Sequence, residues 1–123
     1  SIISRLGGAM MESAIISIHG RVQGVGFRWT TAHLANRMHI VGWVKNEIDG
    51  SVTVRAQADE TSFNAFIEAL KHSPTPYAKV SHLTVTPKNV EDFKKFTITD
   101  WKSPSYQVRF NLLSSLGKLA TIL

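Results

Sequence analysis

Residues 14–38 read AIISIH, then GRVQGVGFR, then WTTAHLANRM. The first six, Ala14 to His19, are apolar and rich in β-branched side chains, the pattern of a short buried strand. Gly20, Gly24 and Gly26 then interrupt regular structure within seven residues. From Trp29 the period changes. Trp29, Ala32, Leu34, Ala35 and Met38 share one helical face, with Thr30, Thr31, Asn36 and Arg37 pointing elsewhere. A strand that passes through a glycine loop straight into a helix N-terminus suits an anion. Glycines let backbone N–H groups converge without Cβ obstruction, and the helix start adds partial positive charge. Arg28 closes the loop, and its guanidinium can grip two phosphate oxygens in a geometry that Lys cannot copy.

The rest of the chain places this unit in a fold. Residues 40–48 (IVGWVKNEI) read as a second strand, and Asp49-Gly50 after it predicts a tight two-residue hairpin turn. In 51–58 Val52, Val54 and Ala56 alternate with Thr53, Arg55 and Gln57, a half-buried strand paired with the one before. Residues 59–72 form a second helix with Phe63, Phe66, Ile67 and Leu70 as its apolar stripe, Asp59 or Thr61 available as cap, and Ser73-Pro74-Thr75-Pro76 ending it. Residues 79–86 alternate as a strand, and 93–99 make a last short one. Strand, helix, strand, strand, helix, strand is the split βαβ order. It predicts an α+β, ferredoxin-like two-layer sandwich: a βαββαβ antiparallel sheet of four to five strands with two helices on one face.

Composition narrows the function. At 123 residues the chain fits one domain with a core of its own. No Cys occurs, which excludes disulfides, thiolate metal sites and a cysteine nucleophile and suits a reducing cytoplasm. No apolar run approaches the ~20 residues needed to cross a bilayer, so no membrane partner is expected. The formal charge of +5 invites a nucleic-acid reading, but ten basic and nine acidic residues leave 12–101 nearly neutral. The excess sits in Arg5 and in Lys102, Arg109 and Lys118, so no nucleic-acid partner is expected for the core. Residues 1–11 read as a leader or extension and 12–101 as the domain. In 102–123 a strand-like alternation from Tyr106 to Leu112 precedes a leucine stripe. This tail is too apolar for a linker: it adds an edge strand or pairs with another chain. The core itself is expected to be monomeric.

Two common phosphate loops do not fit. The Walker pattern needs Gly-Lys followed by Ser or Thr, which occurs nowhere, and the dinucleotide fingerprint needs Gly where Trp29 stands. Gly20-Arg21-Val22-Gln23-Gly24-Val25-Gly26-Phe27-Arg28, followed by Gly42-Trp43-Val44-Lys45-Asn46-Glu47-Ile48-Asp49-Gly50-Ser51-Val52, resembles the paired signature of the acylphosphatase family. The resemblance covers roughly residues 12–100. It implies hydrolysis of a small acyl phosphate to a carboxylate and inorganic phosphate, without metal or cofactor. It also implies that Arg28 binds the phosphoryl group, that the loop Val22, Gln23, Gly24, Val25, Gly26 and Phe27 cradles it, and that Asn46 positions the attacking water. Three features depart from the family pattern: Trp29 where a smaller aromatic is commoner, Ala58 where Gly often ends the third strand, and the extension beyond residue 101.

Taken singly, these residues have plainer readings. An Arg at a helix start usually pairs with a surface acid, and an Asn at a strand end usually serves a turn. Their combination with the glycine loop favours anion chemistry. The five histidines show no metal-ligand spacing. Two rival functions are an RNA module of the same topology and a domain that binds an anion without turnover. The first needs aromatics on a central strand, and SVTVRAQA has none. The second needs the loop and Arg28 but not Asn46.

Overall fold

The computed structural model describes residues 5–6 and 9–99. The elements in chain order are β1 (Arg5–Leu6), β2 (Ala9–Arg21), α1 (Phe27–Arg37), β3 (Val41–Asn46), β4 (Val52–Asp59), α2 (Glu60–Lys71), β5 (Lys79–Pro87) and β6 (Phe96–Ile98). The main sheet runs β5-β2-β4-β3-β6, and β1 pairs with the first residues of β2 (Arg5↔Met10, Leu6↔Ala9). Strands β5, β2, β4 and β3 pair antiparallel with one another in that order. The edge strand β6 is parallel to β3, so the five-stranded sheet is mixed where an antiparallel one was expected. Helix α1 packs on β3 and β6, and α2 packs on β2, β4 and β5. This is the ferredoxin-like α+β sandwich. No helix among the described residues is long and apolar enough to cross a membrane. The expected strand and leucine stripe of 102–123 lie outside the described residues.

One face of the sheet carries the apolar core. Ala14, Ile16 and Ile18 of β2 lie beside Val52, Val54, Ala56 and Ala58 of β4 and Val44 of β3, all buried, as the pleat dictates for alternate residues. Helix α2 covers them with the expected stripe of Phe63, Phe66, Ile67 and Leu70, and Phe66 meets Phe96 of β6 edge to face at 6.3 Å. Asp59 caps α2, its carboxylate accepting from the N–H of Ser62 at 3.0 Å. With Ala58 inside β4, strand and helix join with no turn between them.

Helix α1 differs from its expected register. It starts at Phe27, so the buried stripe is Phe27, Thr31 and Ala35, while Trp29 points outward at 62 % exposure. Four-residue spacing from Phe27 puts Thr31 on the sheet, while Trp29, two residues on, falls on the opposite side of the helix. The β3–β4 hairpin is one residue longer than the expected two-residue turn. Glu47 N–H donates to Ser51 O (2.9 Å) and Gly50 N–H to Glu47 O (3.2 Å), leaving Ile48, Asp49 and Gly50 as the loop. Asp49 accepts from the Ser51 hydroxyl (2.6 Å) and N–H (2.9 Å), and these bonds hold its carboxyl below the usual range.

The other face of the sheet is polar yet also covered. Arg55 is 2 % exposed and Gln57 4 %, so β4 is buried on both faces rather than half-buried. The cause is the segment from β5 to β6, which crosses this face. Arg55 donates to Ser13 Oγ (2.7 Å), Asn89 O (2.9 Å) and Glu91 Oε2 (2.9 Å), with the Phe93 ring 5.0 Å from its guanidinium carbon. Gln57 trades two hydrogen bonds with the backbone of Glu91, at 2.7 and 2.8 Å.

Truncating Phe66 to Ala removes a ring that is fully buried. The expected cost is ~3–5 kcal/mol of unfolding free energy, read from urea titration. The backbone N–H of Ser62 also holds the Asp59 carboxyl below its usual 3.8. That contribution is present above the usual value and lost as pH falls through the lower native one. Acid titration should therefore narrow the stability gap between the parent and Asp59→Asn, and a gap unchanged at low pH would contradict it.

Candidate active site

Two elements that share no local sequence meet at one end of the sheet. The register Ile18↔Val52 and Asn46↔Val52 brings β2 and β3 level at this end, one on each side of β4. The glycine loop leaves β2 at that point and Asn46 is the last residue of β3. A small cavity of about 110 Å³ lies between them, lined by Val22, Gly24, Gly26, Phe27, Arg28 and Asn46, with Trp29 at its edge. Pockets for drug-sized ligands are roughly 300–1,000 Å³, so this one suits a small anion.

The loop geometry follows from its glycines. Gly24 and Gly26 sit at φ 74° and 77°, left-handed conformations that side chains with a Cβ rarely adopt. Gly26 is also the N-cap of α1 and contributes no side-chain cap. The first turn of α1 holds no acidic residue. Helix α2 is the contrast: its start is closed by Asp59 and followed by Glu60. The N-terminus of α1 thus turns its partial positive charge towards the cavity, beside Arg28, with no carboxylate of its own first turn to offset it.

The loop side chains divide. Val22 and Phe27 are buried and line the cavity, and Val25 packs partly buried against the core. The Gln23 side chain spans to the hairpin: its carboxamide donates to Glu47 O (2.8 Å) and Ser51 O (2.9 Å). Arg28 and Asn46 are both at the cavity wall. Two features were missed in the sequence. The bridging role of Gln23 has no local signal, because its acceptors lie on another element. The place of Trp29 at the cavity edge follows from its position next to Arg28 once the helix starts at Phe27. Among the described residues no three His, Cys, Asp or Glu side chains are grouped to hold a metal ion.

Fold and cavity together define a class: a ferredoxin-like domain with an anion-sized, glycine-walled cavity holding an Arg and an Asn. Comparison with known proteins narrows it. The family profile named Acylphosphatase matches residues 14–98. An acylphosphatase of Listeria welshimeri is 44% identical over 88 residues, spanning 71% of this chain and 95% of that protein. The crystal structure of acylphosphatase from Bacillus subtilis superimposes with TM-score 0.68 at 38% identity, over 72% of this chain and 98% of that one. Full-length HypF in a phosphate- and nucleotide-bound form matches at TM-score 0.65 and 26% identity, over 73% of this chain but 12% of its own. The chain belongs to the acylphosphatase family.

Gln23→Ala removes the side-chain donor from two carbonyls at the hairpin mouth, each of which keeps a backbone N–H donor. The expected loss is about 1–3 kcal/mol of stability by urea titration, from two hydrogen bonds at roughly 0.5–1.5 kcal/mol each. A variant as stable as the parent would show that the bridge carries no net energy.

Proposed function

We propose that this chain hydrolyses acyl phosphates, with the phosphoryl group held in the loop cavity by Arg28 and the surrounding N–H groups and the attacking water aligned by Asn46. The observation that carries the reading is that Arg28 and Asn46, from the start of α1 and the end of β3, line one anion-sized cavity. Membership of the family supports the substrate class.

The chemistry asks little of the protein. A water oxygen forms a bond to phosphorus as the bond from phosphorus to the acyl oxygen breaks. The electron pair leaves with the carboxylate, a good leaving group that needs no proton. The water's proton passes to the phosphate product or to solvent. What is left for the protein is positioning and charge stabilisation. Arg28 takes two phosphoryl oxygens in its guanidinium fork. The glycine loop and the start of α1 supply further N–H donors. Asn46 suits the water because its carboxamide accepts and donates while carrying no charge; an Asp there would bring an anion towards an anion. Neither a metal nor a cofactor enters this reaction, and the absence of cysteine suits a cytoplasmic setting.

The test is hydrolysis of benzoyl phosphate in EDTA by the parent, Arg28→Ala and Asn46→Ala. The parent should turn over, with kcat/KM falling by about 10²–10³-fold or more in each variant. Asn46→Ala should still bind inorganic phosphate, whereas Arg28→Ala should not. A parent that binds phosphate but never turns over would leave an anion-binding domain in place of the enzyme.

A further inference from the structure

With its phosphoryl group seated in a cavity of about 110 Å³, a bulky acyl half such as benzoyl emerges at the cavity edge. Trp29 stands there, and of the cavity-lining residues it is the one large exposed hydrophobic side chain. The same indole lines a second, larger groove of about 430 Å³ between α1 and β6, with Ala32, His33, Asn36, Thr97 and Ile98 among its walls. Cavity and groove therefore share one wall residue.

Nothing in the core requires a tryptophan at this position. The buried stripe of α1 is Phe27, Thr31 and Ala35, and Trp29 lies off it. Its ring instead lies flat on that of His33 one turn along the helix, with centroids 5.3 Å apart and planes 3° from parallel. A side chain backed in this way holds its orientation while its outer surface stays open. The small side chain of Ala32 leaves room in the groove, and no acidic residue lines it, so nothing there repels a departing carboxylate.

We propose that Trp29, backed by His33, is the platform for the acyl group and biases the enzyme towards flat, unsaturated acyl phosphates, aroyl phosphates foremost. The proposal rests on the hydrolytic reading above and deepens it. Trp29 acts by stacking on the part of the substrate that does not react, so its effect falls on binding rather than on the chemical step. His33 acts through its stack on the indole and serves as a positioning residue for it.

The experiment compares benzoyl with acetyl phosphate as substrates, and benzoylphosphonate with acetylphosphonate as ligands that cannot be hydrolysed. The proteins are the parent chain, Trp29→Ala, Trp29→Phe and His33→Ala. Trp29→Ala should lower the benzoyl-over-acetyl ratio of kcat/KM by about three- to tenfold, chiefly through KM for benzoyl phosphate, the range an aromatic pair supplies. Trp29→Phe should keep most of the ratio, and His33→Ala should lose part of it. Equal losses on both substrates, or no change in the ratio, would overturn the proposal. The phosphonates separate its failure from failure of the hydrolytic reading. If the parent hydrolyses neither substrate but binds benzoylphosphonate more tightly only when Trp29 is present, the platform stands and hydrolysis falls. If both phosphonates bind alike with and without the indole, the platform falls whatever the turnover.

Discussion

The carboxamide of Gln23 reaches across from the glycine loop and donates to two carbonyls, Glu47 O and Ser51 O, that flank the β3–β4 hairpin. Helix α1, which follows the loop, also packs on β3, the strand that Asn46 ends. The loop hangs from β2 and Asn46 ends β3, with β4 lying between those strands. Reaction geometry is demanding: groups must hold within about 0.5 Å of their productive positions. The Gln23 bridge ties the loop of Gly24 and Gly26 to the hairpin, beside the cavity that Arg28 and Asn46 line.

The polar face of the sheet supports the site from further away. Burying a guanidinium is expensive unless its donors are used, and Arg55 uses them on Ser13, Asn89 and Glu91. These contacts, with the exchange between Gln57 and Glu91, hold the crossing segment that leads from β5 at one edge to β6 at the other. Strand β6 then lies beside β3 under α1 and forms one wall of the groove next to Trp29. A buried cation on one side of the sheet thus helps shape a surface near the other.

The two helices divide the work by how their first turns are closed. Helix α2 satisfies its own start with Asp59, carries the apolar stripe and stabilises the core. Helix α1 has a glycine N-cap without a side-chain cap and no acid in its first turn. It buries fewer side chains and presents its start to the cavity. The contribution to stability and the contribution to the site fall on different helices of one small domain.

Element order, the stripe of α2, Asp59 as one of two candidate caps and the glycine loop before α1 were legible as local pattern, because periodicity and capping depend on residues a few positions apart. Asn46 was legible only through the resemblance of two motifs, since a strand-end Asn has no signal of its own. The start of α1 was misplaced by two residues because Phe27 directly follows the glycines, and so Thr31 and Trp29 exchanged faces. The parallel pairing of β6 was hidden because three residues carry too little pattern to specify a partner. The bridge from Gln23 and the burial of Arg55 join residues far apart in the chain, and no local period records such hydrogen bonds. Local sequence determined which segments become helix or strand and where the glycine loop falls between them. Only the tertiary structure, through register and long-range hydrogen bonds, decided which side chains line the cavity beside that loop.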